Sequence, residues 1–370
     1  MELASPGLLM TLISFAVAIT ILVFVHEMGH YLVARRFGVR VEVFSIGFGP
    51  EIFGWNDRHG TRWRVSLIPL GGYVRFFGDS DAASSADHAR LARMTEEERA
   101  GAFHLKPLYQ RALIVAAGPI VNILFAVLIY AGLFTIYGQA VRPPVVVEVQ
   151  ENSPAAAAGL RPGDRIVSLA GRDVRDATDL VRLVGLYPGQ TVSVIVERDG
   201  RRFTREVTLA RVALEDRFGN RYETGRLGVM LPARPTEIRR LGPIRAIGAA
   251  VSETVEMMRM MLTVVGQVIM GVRSLDDLGG PVKIAKVSGE QASLGLVSFI
   301  AFLALISVNL GLVNLFPIPM LDGGHLFFYA IEAVRGSPVP PRVQEWSSLV
   351  GLGLLLALVL LVTWNDLRTL

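Results

Sequence analysis

The sequence has no cysteine, which excludes disulfides and thiolate metal sites; any metal ion must be held by His, Asp or Glu. Charge is also scarce. Asp, Glu, Lys and Arg make up 19% of the 370 residues against 51% hydrophobic ones, and the mean hydropathy is +0.45, which excludes an ordinary soluble composition. Lysine is nearly absent, with only Lys106, Lys283 and Lys286 among the 37 basic residues. The arginines are interspersed with acids along the loops, so the formal charge of +4 forms no basic patch and no nucleic-acid partner is expected.

What the chain does have is long apolar runs. Leu3–Val25, Ala112–Val141, Gln291–Leu321 and Trp346–Asn365 carry no charged side chain, and each supplies the roughly 20 residues that cross a hydrocarbon core about 30 Å thick. The first run lacks a basic leader and a small-residue cleavage site and continues into His26-Glu27, so it is expected to be a retained span. Arg35, Arg36, Arg40, Lys106 and Arg111 flank residues 37–110, whereas only Arg142 closely follows the second run. This asymmetry predicts residues 37–110 on the cytoplasmic side, with both termini and residues 142–290 outside.

Between the spans, the alternation in residues 40–46 and 62–67 predicts short strands, punctuated by Gly47, Gly49, Pro50, Gly71 and Gly72. Residues 80–102 read as a linker or surface helix. Residues 143–210 read as a compact α/β module with strands at Val145–Val149, Arg165–Leu169, Thr191–Glu197 and Phe203–Leu209 and a helix at Ala177–Leu186. Residues 243–273, apolar and rich in methionine, read as an amphipathic helix on the membrane surface.

The chemistry is carried by two strings. His26-Glu27-Met28-Gly29-His30 is an HExxH motif: two imidazoles four residues apart lie about 40° apart around a helix axis, so both reach one ion. Glu27, beside them, is placed to take a proton from water and deliver it to a leaving amine. Ionisable groups at the end of an apolar span are expensive and normally functional. A catalytic zinc takes three protein ligands, and the stretch Asn314-Leu-Phe-Pro317-Ile-Pro319-Met-Leu-Asp322-Gly323-Gly324-His325 offers two candidates for the third. If spans alternate, this stretch ends the third span at the depth of His26 and His30. Asp322 is the favoured ligand and His325 the alternative. Pro317 and Pro319 break helical hydrogen bonding there, which a membrane tolerates where backbone lines a cavity.

Together with Ser45-Ile-Gly-Phe-Gly-Pro50, Ala117-Gly118-Pro119-Ile-Val-Asn122 and Ser307-Val-Asn309, these strings make the chain resemble the site-2 protease family of intramembrane zinc metalloproteases, in its regulator-of-sigma-E protease branch. The resemblance implies zinc on His26, His30 and Asp322, Glu27 as catalytic base, and substrate held near the metal by Asn314, Pro317 and Pro319. It also implies a membrane-inserted hairpin in residues 40–77 whose open edge takes an unwound substrate by strand addition. Gly118 and Asn122 serve either helix packing or the site. The string from Asn152 to Ile166, with Pro162-Gly163-Asp164 as a turn, resembles a bacterial-type PDZ domain, and Gly228 a peptide-carboxylate loop. One departure is that the branch often has two tandem PDZ modules where this chain shows one.

The expected fold is therefore an α-helical polytopic membrane protein of about four transmembrane helices, with a membrane-associated β-hairpin and an inserted α/β PDZ-like domain. Its segments are a first helix with HExxH (1–36), a cytoplasmic-side loop with the hairpin (37–110), a second helix (111–141) and the PDZ-like domain (142–212). A linker with the surface helix (213–290), a third helix with the Asp322 motif (291–325), and a loop with the fourth helix (326–370) follow. The expected activity is zinc endopeptidase action within transmembrane segments of membrane proteins, such as anti-sigma factors or remnant signal peptides, in a bacterial inner membrane with the PDZ-like domain periplasmic. A non-catalytic PDZ-containing membrane adaptor and a zinc transporter are the alternatives.

Overall fold

A computed structural model describes residues 7–80, 86–215, 221–233, 237–271 and 279–368. Along the chain come α1 (Leu8–Arg36), β1 (Val41–Asn56), β2 (Arg62–Phe76), α2 (His88–Ala92), α3 (Glu96–Gly101) and α4 (Leu108–Ile136). Then follow β3 (Gln139–Val141), β4 (Glu148–Val149), α5 (Pro154–Ala157), β5 (Arg165–Leu169), β6 (Arg172–Asp173), α6 (Ala177–Gly185), β7 (Thr191–Arg198) and β8 (Arg201–Thr208). The remainder is β9 (Ala210–Glu215), β10 (Arg221–Arg226), β11 (Val229–Met230), β12 (Glu237–Arg239), α7 (Pro243–Ile269), α8 (Pro281–Ser293), α9 (Leu296–Asn314), α10 (Asp322–Arg335) and α11 (Pro341–Arg368). Among the described residues four helices, α1, α4, α9 and α11, are long and apolar enough to cross a membrane, matching the four expected runs. The chain divides into two compact units.

The first unit comprises residues up to Tyr130, Ala250–Met258 and Gly280–Thr363. Its helices meet where side chains are small. A Cβ on Gly29 of α1 would lie 2.5 Å from the Ala117 carbonyl oxygen of α4, and one on Gly311 of α9 would lie 2.8 Å from that of Pro119. Glycine at these crossings lets helix backbones touch, the usual basis of packing in lipid. The sheet is more folded than a plain hairpin. Residues 41–46 of β1 pair with 72–76 on one side (Phe44↔Val74, Ile46↔Gly72) and with 62–65 on the other (Phe44↔Trp63, Ile46↔Val65), while Phe53↔Val65 and Trp55↔Trp63 join the far arm. Residues 72–76 therefore form an outer edge. The sheet is fastened to α1 by aromatics: Phe44 stacks on Trp63 at 4.3 Å, and Tyr31 meets both edge-on. Asp57 completes the fastening by accepting from the Tyr31 hydroxyl at 3.0 Å and the Trp63 indole at 3.1 Å. The opposite arm leaves Ile52, Phe53 and Trp55 exposed.

The second unit comprises Ala131–Ala249, Arg259–Gly279 and Trp364–Leu370. An antiparallel sheet in the order β6-β5-β7-β8 packs with α6 around a core that includes Ile166, Leu169, Leu180, Val194 and Leu227. The alternating burial of β7 is what a sheet with one solvated face requires. Asp176 caps α6 by accepting from the Asp179 N–H at 2.8 Å. The expected boundary at 212 is too early, because β11 pairs with β4 (Val229↔Val149) and Leu227 is in the core. Segment 213–290 is thus not merely a linker; the two-stranded β4–β11 pairing joins partners about 80 residues apart, beyond what local periodicity reports. The methionine-rich stretch is the helix α7, and part of its apolar face is used internally: Met260 and Val264 pack on this core, and Gln267 donates to the Leu186 carbonyl.

Candidate active site

Late in α1, the HExxH spacing turns His26 and His30 to the same side, with Nε2 atoms 3.2 Å apart. The third group arrives from a different helix than expected. The third span ends at Asn314, and Asp322 is the first residue of α10 rather than the tail of the span. Pro317 and Pro319 cannot continue the helix, so the chain breaks and restarts. The break folds back tightly on the new helix. A Cβ on Gly323 would lie 2.2 Å from the Phe316 carbonyl oxygen, and one on Gly324 would lie 2.4 Å from that of Ile318. Only the paired glycines admit this turn, and Met320 within it takes φ +81°, a costly value for a side-chain-bearing residue.

Asp322 Oδ2 sits 3.1 Å from His26 Nε2 and 3.5 Å from His30 Nε2, and among the described residues only these three groups meet the geometry of a metal cluster. The outer ring nitrogens explain the protonation. His30 Nδ1 donates to the Ile114 carbonyl at 2.9 Å, and the Asn122 amide lies 3.1 Å from His26 Nδ1. Turning the Asn122 amide so that Oδ1 accepts from His26 Nδ1 also satisfies that oxygen, otherwise buried without a partner. Both Nε2 atoms then present lone pairs to a carboxylate oxygen that is itself buried without a donor. Three acceptors facing one point repel each other unless a cation lies between them, and their types suit zinc.

The flanking elements make room for this centre and orient it. A Cβ on Gly118 would lie 2.3 Å from His30 Nε2 and 2.9 Å from His26 Cε1, so α4 approaches the imidazoles only because residue 118 is glycine. Ser307 of α9 donates to the Asn122 carbonyl at 2.8 Å. Gly118 and Asn122, for which packing and a site role stood level in the sequence, therefore serve both. The Glu27 carboxylate faces the backbone N–H of Val74 on the outer strand. A cavity of about 200 Å³ opens on this group, lined among others by Glu27, Gly72, Val74, Asn314, Asp322 and His325. His325 lines it without belonging to the cluster, and Pro317 and Pro319 shape the turn without lining the cavity. Val115, Phe76, Phe103 and Tyr329 also line it. No motif flagged them, since three are ordinary apolar residues and one a tyrosine, whose positions depend on long-range packing.

The profile of peptidase family M50 matches residues 14–358. A protein of Agrobacterium fabrum named as a candidate zinc metalloprotease is 46% identical, covering 97% of this chain and 96% of its own. A Rhizobium meliloti protein named in the same way is 44% identical over 100% and 99%. Metalloprotease MmpA of Caulobacter vibrioides is 37% identical over 98% and 96%. Among solved structures, the PDZ domain of an SdrC-like protein from Listeria monocytogenes aligns with a TM-score of 0.20 at 20% identity, covering 25% of this chain and 88% of that one. The family and relatives side with an enzyme over an adaptor or a transporter. With 345 of its residues spanned by one peptidase profile, the chain belongs to peptidase family M50, the site-2 protease family, and is a zinc metalloendopeptidase.

Proposed function

We propose that this protease hydrolyses peptide bonds inside transmembrane segments of other membrane proteins, at a site held within the bilayer. The observation that carries the proposal is the joining of three acceptor atoms, from His26, His30 and Asp322, to Glu27 on a helix of membrane-spanning length and hydropathy. Ionisable groups at such a position act on substrates that reach them in the membrane. His26, His30 and Asp322 would hold zinc, which would supply Lewis-acid polarisation of the scissile carbonyl. Glu27 removes a proton from the attacking water, whose oxygen bonds to the carbonyl carbon. As the C–N bond breaks, Glu27 returns the proton to the leaving nitrogen.

A helical substrate shields its peptide bonds, so it must be extended before attack. The edge at residues 72–76 offers a backbone to pair with, next to Glu27, and supports binding by strand addition. Asn314, on the cavity wall, contributes a side-chain amide to the substrate backbone, and the Pro317 and Pro319 turn holds Asn314 and Asp322 on either side of the break. The exposed Ile52, Phe53 and Trp55 support insertion of the far arm into the membrane. The substrates are single-span proteins with trimmed ectodomains, such as anti-sigma factors or remnant signal peptides, in a bacterial inner membrane. The PDZ-like second unit lies on the periplasmic side and residues 37–110 on the cytoplasmic side.

Glu27→Gln keeps size and hydrogen bonding but removes the proton acceptor. Purified into lipid vesicles with a single-span substrate, the variant should keep zinc and lose cleavage by at least a thousandfold, and in the unaltered enzyme the cut should map within the substrate's span. Turnover near that of the unaltered enzyme, or cuts only outside the span, would sink the proposal. For sidedness, single cysteines at Asp199 and Asp87 in a chain with none of its own should differ: an impermeant thiol reagent labels only the first in cells with a permeabilised outer envelope. Labelling of both, or of position 87 alone, reverses the topology.

A further inference from the structure

Beyond the acceptor cluster, the cavity continues along three elements that lie side by side. On α4 the face that carries Gly118 at the imidazoles carries Val115 and then Arg111, and on α10 the face that begins with Asp322 carries His325, Tyr329 and then Glu332. On the outer strand the line that starts at Gly72 ends at Phe76, whose ring stacks on Phe103 at 4.8 Å. At the far end, Arg111 donates to Glu332 from Nη2 at 2.6 Å and from Nη1 at 3.3 Å, and its guanidinium lies over the Tyr329 ring at 4.9 Å. Arg111 Nε donates to the Lys106 carbonyl at 3.1 Å. Against Tyr329, which lines the cavity, there therefore lies a guanidinium whose charge and hydrogen bonds are already taken up.

The geometry points to a side-chain pocket: we propose that Phe76, Phe103, Val115, His325 and Tyr329 bind one large apolar side chain next to the scissile bond and so set the enzyme's sequence preference. Asp322 and Tyr329 are seven residues apart, roughly 10 Å along a helix, which leaves depth for a side chain below a peptide group at the cluster. The cavity as a whole, with the space around Glu27 and Asp322 included, holds about 200 Å³, of the order of the roughly 150 Å³ apolar cavity that accepts benzene. Phe76, Phe103 and Val115 are buried in the protein and line this cavity. Of the five side chains, only the His325 imidazole and the Tyr329 hydroxyl carry polar atoms. A charged side chain would enter without a partner, because Arg111 and Glu332 satisfy each other, and an unpaired charge there is costly. The occupant is thus leucine, methionine or phenylalanine in preference to alanine or to a charged residue.

This inference rests on the protease reading above, and the test separates the two. A single-span substrate is varied at the two residues flanking its mapped cut, each set in turn to Leu, Phe, Ala and Lys, and rates are measured on full-length, zinc-loaded enzyme in vesicles. At one of the two positions, Leu or Phe should be cut at least tenfold faster than Ala, within the 10–200-fold that apolar pocket contacts supply. Val115→Phe fills the pocket and should lower the Leu-to-Ala rate ratio by tenfold or more. Phe103→Leu opens it and should shift preference towards the larger ring. A ratio of rates on two substrates is unmoved by a general loss of fold or of zinc, so a purely structural role for these residues would leave it constant. No size preference at either position, or a ratio that stays within twofold in both variants, overturns the pocket while leaving the protease reading intact. Failure of the unaltered enzyme to cut any of the substrates overturns that reading and this one with it.

Discussion

Each unit encloses a carboxylate oxygen of an aspartate, and the two are held in opposite ways. Asp164, fully buried in the second unit, accepts from the Arg161 N–H at 2.8 Å and from Arg198 Nη2 at 2.7 Å. Burial alone would raise its pKa, but the Arg198 hydrogen bonds and the Arg161 amide outweigh that and hold the carboxyl below its ordinary range. Folding alone satisfies it. Asp322 in the first unit faces two imidazole nitrogens whose own protons point elsewhere, and its Oδ2 has no donor. Folding leaves it requiring a cation. The contrast separates a buried charge that completes the structure from one that awaits a ligand, although both stand beside positively chargeable side chains.

The sharpest way to break this comparison is to remove each charge in turn. Asp322→Asn should cost the site its zinc and activity by three orders of magnitude or more while leaving the fold intact, because a three-ligand centre loses one of its ligands. His325→Ala should keep the metal. Asp164→Asn should do the reverse, keeping zinc and lowering stability by about 1–3 kcal/mol through the unpaired Arg198. Chelator titration and denaturant unfolding on the same preparations read both quantities. If Asp164→Asn empties the site, or Asp322→Asn stays loaded, the distinction fails.

A somewhat smaller effect is expected where only the room around the ligands changes. Gly118→Ala places a methyl group where the Cβ would be 2.3 Å from His30 Nε2, so the imidazole must swing away from Asp322. Zinc affinity should fall by at least the roughly 10–100-fold typical of perturbed outer contacts. Gly132→Ala on the same helix, where a Cβ meets nothing within 4 Å, should change affinity by less than twofold. Equal losses for the two would mean that helix propensity, not the crowding of the ligands, governs the result.

The smallest effect belongs to Asp57, another aspartate satisfied by folding. Burial pulls its pKa upward, yet the Trp63 indole, the Thr61 and His59 amides and the Tyr31 hydroxyl hold it down at about 2. A carboxyl lowered from an unfolded value near 3.9 stabilises the fold fully above that value and loses its contribution as pH falls towards 2. Amide exchange at His59 and Thr61 should therefore accelerate, relative to the intrinsic rate, between about pH 4 and pH 2, and Asp57→Asn should abolish the step. A flat protection factor across that window would remove Asp57 as the tie between sheet and helix.

The features legible in the sequence are those that rest on short spacings. The HExxH pair needs only the helical period, the four spans only length and hydropathy, and the Asp164 turn only Pro162-Gly163 before a strand. Tertiary packing alone decided which helix carries Asp322, because a break at Pro317 and Pro319 is readable but the restart of α10 at residue 322 depends on Gly323 and Gly324 meeting the carbonyls of Phe316 and Ile318. It also decided that the strand at residues 72–76, rather than the far arm, presents its edge to Glu27. The second unit likewise closes only when Val229 finds Val149. The physical reason is common to all three: hydrogen bonding and side-chain period act over a few residues, whereas the meeting of groups dozens or hundreds of residues apart is selected by the fit of whole surfaces. His26, His30 and Asp322 could be named from the chain as candidate metal ligands, but their lone pairs face one point only because Gly118 lets α4 come close and Asn122 and Ile114 take the protons on the other side of the rings.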